Sequence, residues 1–134
     1  MLSNRRGSNM AEAAITMPVV LLVMMFAINV SIAGAASVAA TQAANYGARI
    51  GSVAIKDDQY YAMNAAQYAM NNSGLRIDYS VYANVTPYHN GGYSYVAVYW
   101  KVPVYLSGLC DLFGGGCPKY FTGTSAATWK KEGW

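Results

Sequence analysis

Gly7, Ser8 and Glu12 stand where a basic N-terminal segment meets a long apolar one, and their types and spacing are the most suggestive of chemistry in the chain. Arg5 and Arg6, followed by the small pair Gly7 and Ser8, offer a peptide bond that a processing enzyme can enter. Glu12 lies just beyond, at the edge of a lipid-compatible stretch. An unpaired carboxylate in the middle of a bilayer costs about 2.5–3.5 kcal/mol, so an acid placed here points to function. Its natural partner is a cation from another subunit. The plainer alternative is a carboxylate at headgroup level that favours the helix N-terminus.

Cys110 and Cys117 form the second constellation. They are too far apart for a Cys-x-x-Cys redox pair, and no further Cys and only one His exist to complete a zinc set. A local disulfide is the economical reading, with free thiols as its alternative. His89 sits in a Gly-rich turn without an evident Ser, Cys or carboxylate partner, and Asp57 with Asp58 reads as a helix start rather than an acid pair. Gly114, Gly115 and Gly116 lack the Lys-Ser/Thr of a phosphate loop. The expectation is a protein that is not an enzyme and carries neither cofactor nor metal.

Composition sets the scale on which these residues are held. A chain of 134 residues, 54% hydrophobic and 11% charged, accommodates one small domain and one apolar segment. Residues 13–48 carry no charge, which far exceeds the roughly 20 residues that cross a bilayer, so a helix there also projects beyond it. The candidate cut precedes the apolar run, whereas a secretory signal is cut after it, so processing leaves the helix attached. Arg5 and Arg6 before the span place the N-terminus inside and the remainder outside. The net charge of +3 is mild and no Lys/Arg stripe follows, which argues against nucleic acid as a partner. Lys130 and Lys131 read as a solvated tail.

Three segments follow from this: a leader at 1–7, a transmembrane and stalk helix at 8–56, and an exported α+β domain at 57–134. Ala36, Ala40, Ala44 and Ala48 recur every four residues, as do Ala27, Ser31 and Ala35. Such small-residue stripes let helices approach closely in membranes, although a merely alanine-rich helix looks the same. Pro18 frees the carbonyl of Ala14 and predicts a kink or local loosening. Asn29 is a second polar interruption, which bonds either another helix or its own backbone.

Asp57 and Asp58 predict the capped start of a second helix running through Asn71, with Gly74 as its stop. Ala62, Met63, Ala66, Ala69 and Met70 form its apolar face, suited to packing on a sheet. The period then changes to two. Ile77, Tyr79, Val81, Ala83 and Val85 alternate with polar residues, and Val96, Val98, Trp100 and Val102 alternate along a returning strand after the turn at 87–92. Pro103 marks an edge position or a strand end, and a third strand is predicted near 120–129. The fold class is α+β: a long membrane-spanning helix, a second helix, and an antiparallel sheet of about three strands.

The run from Arg5 through Gly7, Glu12 and Pro18 into an apolar span resembles the TadE-like family, membrane-anchored pseudopilins of the tight-adherence pilus and secretion system. Gly47, Ala48 and Arg49 are similar to the segment that ends that family's first helix, and residues 98–103 and 124–132 resemble its strand pair and acidic end. The resemblance implies a class III signal peptide cut by prepilin peptidase between Gly7 and Ser8. It also implies that Glu12, at mature position five, pairs with the new ammonium of a neighbouring Ser8 during subunit assembly. The partners so implied are the cytoplasmic membrane, other pilin or pseudopilin subunits, an assembly platform and the peptidase. The function implied is a minor pilin or assembly pseudopilin. The alternative is a membrane-tethered adhesion module that uses its many tyrosines, which otherwise are simply outward-facing strand residues.

Overall fold

The computed structural model describes residues 4–87, 91–112 and 114–132. The leader residues 1–3 and the turn residues Tyr88, His89 and Asn90 lie outside the described residues, as do the side chains of Arg5, Arg6 and Ser8. The elements run α1 (Asn4–Val53), α2 (Asp58–Asn71), β1 (Asp78–Val85), β2 (Tyr93–Pro103), α3 (Ser107–Leu112) and β3 (Tyr120–Lys130). The strands form one antiparallel sheet in the order β1-β2-β3.

α1 divides by surroundings rather than by conformation. Residues 9–28 are all exposed, with Leu22 and Phe26 bordering the domain, whereas from Asn29 onward one face is buried against the rest of the chain. At 1.5 Å per residue the free part is about 30 Å long, close to a bilayer's hydrocarbon thickness. The helix runs continuously through Pro18.

The alanine stripe is explained by the second part. Ala36, Ala40, Ala44 and Ala48 are fully buried, together with Ala43, against α2 and the sheet. The stripe therefore serves packing within the chain, not a neighbouring membrane helix. Ala27, Ser31 and Ala35 remain exposed. Small side chains are needed because α2 crosses at close range. A Cβ at Gly47 would lie 2.7 Å from the Ala62 carbonyl oxygen and 2.8 Å from the Ala66 Cβ. A Cβ at Gly51 would lie 2.8 Å from the Ala62 Cβ and 2.5 Å from Ser94 Oγ.

α2 buries Ala62, Ala66 and Met70, with Met63 and Ala69 partly covered, so the predicted apolar face is the one used, with α1 as a neighbour as well as the sheet. Its start corrects the sequence expectation: Asp57 adopts a left-handed conformation (φ 50°) and makes no side-chain cap. Asp58 is instead recruited by the end of the chain. At the other end, the Asn72 amide donates to the Tyr68 carbonyl, and Gly74 takes φ +75°, the left-handed turn for which glycine has no Cβ penalty.

In the sheet, Ile77, Tyr79, Val81, Ala83 and Val85 face the helices as the period of two predicts. β1 and β2 pair from Asp78 opposite Lys101 to Val85 opposite Ser94, and β2 and β3 from Tyr93 opposite Lys130 to Pro103 opposite Tyr120. Pro103 closes the central strand, where its missing amide costs little. Trp100 lies between Tyr79 and Gly123 across the sheet, and a Cβ at Gly123 would sit 2.3 Å from its ring, so the glycine makes room for the indole. The other face of the sheet is open to solvent, with Tyr82, Tyr93, Tyr99 and Tyr120 exposed on it.

Candidate functional site: the free helix and the base of the domain

Gly7, Glu12 and Pro18 all lie on α1 before it meets the domain. Gly7 is exposed and nothing lies within 4 Å of a Cβ placed there. Glu12 is exposed, and its backbone carbonyl accepts a bond from Thr16 Oγ1 at 2.9 Å. This Thr-to-carbonyl bond hides the hydroxyl from a lipid environment, as Ser31 does by donating to the Ala27 carbonyl at 2.8 Å. Gly7, Glu12 and Pro18 thus share one bare helix and touch nothing of the folded domain. Among the described residues, no three His, Cys, Asp or Glu side chains come together to hold a metal ion.

The helix meets the domain at Asn29, which is 2% exposed. Its Nδ2 donates to the Met25 carbonyl at 2.9 Å, and its Oδ1 accepts the Tyr105 amide at 3.2 Å. Its own backbone and a loop of its own domain are its hydrogen-bond partners. The docking is repeated higher up. Thr41 Oγ1 lies 3.2 Å from Ser125 Oγ, and the Glu132 amide donates to the Ser52 carbonyl at 3.3 Å. β3 therefore runs up α1 in the same direction, and the segment between β2 and β3 forms the base nearest the free helix.

That base is built by residues 104–119. It contains α3, a short helix that the sequence pattern does not reveal because six residues are too few for a period to show. Cys110 and Cys117 are joined in a disulfide that closes it, with the Gly115 amide donating to the Cys110 carbonyl at 3.0 Å. Between this base and α1 lies an apolar groove of about 400 Å³, with Leu22 and Phe26 as one wall and Leu106, Pro118 and Phe121 among the residues of the other.

The C-terminal lysines divide. Lys130 is exposed, but Lys131 is 7% exposed and its ammonium pairs with the Asp58 carboxylate. The expectation of a solvated tail is thereby corrected for Lys131. The pair locks the end of β3 to the start of α2, and neither residue is near its partner in sequence, which is why no local pattern announces it.

Residues 7–49 match the family of TadE-like proteins. Over that segment, about a third of its length, the chain is similar to the TadE-like family. The match begins at Gly7, takes in Glu12 and Pro18, and ends at Arg49, so it covers both the bare helix and the alanine face on which the domain is mounted. No curated protein and no solved structure matches the chain. The TadE-like segment and a helix long and apolar enough to cross a membrane fit a membrane-anchored subunit of the tight-adherence system.

Proposed function

We propose that this protein is a structural, pilin-like subunit of a tight-adherence type IV pilus or secretion system, a minor pilin or assembly pseudopilin. Its N-terminus lies in the cytoplasm and its α+β domain outside. The observation that carries the reading is the TadE-like match over residues 7–49, whose Gly7 and Glu12 fall on the part of a long apolar helix that stands clear of the domain. Cleavage after Gly7 creates an ammonium on Ser8, and a Glu12 carboxylate from a neighbouring subunit neutralises it where water is scarce. Stranding either partner of a desolvated pair costs several kcal/mol, so the pairing selects neighbours in assembly.

The test is Glu12→Ala, with membrane-fraction abundance, cleavage and recovery of other pilus components measured in the same cells. Removing a charge does not hinder insertion, so abundance and cleavage are retained while complex recovery falls. Undiminished recovery refutes the pairing. The exposed tyrosines on the solvent face of the sheet favour the second reading, a membrane-tethered adhesion module, which requires attachment by the monomeric protein without filaments.

A further inference from the structure

The base of the domain and the membrane lay claim to the same turns of α1. A hydrocarbon core of roughly 30 Å takes about 20 helical residues, so a span that starts at Ala13, the first residue of the uncharged run, ends near Ile32. Yet the base already reaches down α1 to Phe26 and Leu22, which line its apolar groove. At 1.5 Å per residue these lie about 9 Å and 15 Å below that end of the span. Tilting the helix shortens its rise along the membrane normal and moves the boundary still further up the chain. With the span placed there, a domain perched wholly above the bilayer does not fit.

We infer that the disulfide-closed base is a foot seated in the outer leaflet, and that the groove between it and α1 holds a phospholipid acyl chain. The inference rests on the proposed membrane anchoring. The exposed lining of the groove is wholly apolar, since the one polar residue there, Asn29, spends its amide on Met25 and Tyr105. It is also continuous with the bare apolar helix below, so a chain entering it never leaves a hydrocarbon surface. The rim has the chemistry of a membrane interface at the matching height. Tyr105 is exposed and tied to α1 at Asn29, within about 5 Å of the span's end. Tyr120, at the start of β3 on the solvent face of the sheet, is exposed with the Lys101 ammonium 3.8 Å from its ring centroid, and Lys119, whose carbonyl accepts from the Val104 amide, is exposed next to it. Tyrosine and lysine are the side chains that sit at headgroup level with an apolar body inward and a polar tip in water.

The experiment uses the full chain at one copy per nanodisc of phosphatidylethanolamine and phosphatidylglycerol, doped with phosphatidylcholine carrying a nitroxide on its acyl chain. Backbone amide signals are compared with and without the nitroxide. The foot predicts loss of the Leu106, Cys110 and Phe121 signals along with Phe26, while Tyr95 and Thr128 persist. Loss at Phe26 with Leu106, Cys110 and Phe121 intact overturns the seated foot and leaves the anchor standing. Retention of the Val19, Leu22 and Phe26 signals as well overturns the membrane anchor itself. If the foot becomes shielded from nitroxide only in discs with two copies, and is broadened by a spin label on the second chain, the groove belongs to another subunit and the lipid assignment fails.

Discussion

Gly47→Ala and Gly34→Ala are the same chemical change in the same helix, and the structure assigns them opposite signs. Replacing glycine by alanine in a helix gains about 1 kcal/mol from propensity. At Gly34 nothing lies within 4 Å of the new Cβ, so that gain is kept. At Gly47 the new methyl lies 2.7 Å from the Ala62 carbonyl oxygen and 2.8 Å from the Ala66 Cβ, against an ordinary contact of about 3.5–4.0 Å. The obstacle at Ala62 is backbone, which no rotamer change relieves, so α2 must move away from α1 and loosen the alanine seam. Overpacking of this kind costs about 1–3 kcal/mol, and subtracting the propensity gain leaves Gly47→Ala destabilised by up to roughly 2 kcal/mol. For a folded unit near 100 residues each kcal/mol moves the Tm by about 4–8 °C. Thermal unfolding in mild detergent, followed by tryptophan fluorescence, should therefore show Gly34→Ala above the wild type and Gly47→Ala below it. Equal or inverted shifts would refute the close crossing of α1 and α2.

Asp58→Asn leaves the nearly buried Lys131 ammonium without its counter-charge and should lower stability by about 2 kcal/mol, an intermediate value because the Asp58 side chain is 25% exposed. Urea unfolding checks it, and a loss that vanishes in the Asp58→Asn, Lys131→Met double variant confirms the coupling. Cys110→Ser opens the short loop closed by Cys117 and should cost roughly 2–3 kcal/mol in the chain-entropy account. A non-reducing peptide map that finds both thiols free in exported wild-type protein would contradict this.

The parts of the fold that rest on local periodicity are legible in the sequence. β1 (Asp78–Val85) and β2 (Tyr93–Pro103) show their period of two, and β3 (Tyr120–Lys130) covers the region near 120–129 expected for a third strand. What local pattern cannot carry is partner choice. The Ala36 to Ala48 stripe announces close packing but not whether the neighbour is another chain or α2. Asp58 resembles a helix cap because caps and ion pairs use the same residue, and only the tertiary return of Lys131 decides between them. Asn29 is similar, its second bond coming from Tyr105 far along the chain. At the candidate site the spacing of Gly7, Glu12 and Pro18 is visible at once. The height at which the domain grips α1 is not, since it depends on residues 104–121 folding back onto the helix.

The intact mass of the protein recovered from cells with an active prepilin peptidase tests the pilin-like account most directly. The account predicts a chain that begins at Ser8. Gly7→Leu should restore the full-length mass, and because a side chain at Gly7 meets open space, that block cannot be attributed to misfolding. A wild-type chain that still carries the residues before Ser8 would contradict processing at this site and return the helix to the role of a plain anchor.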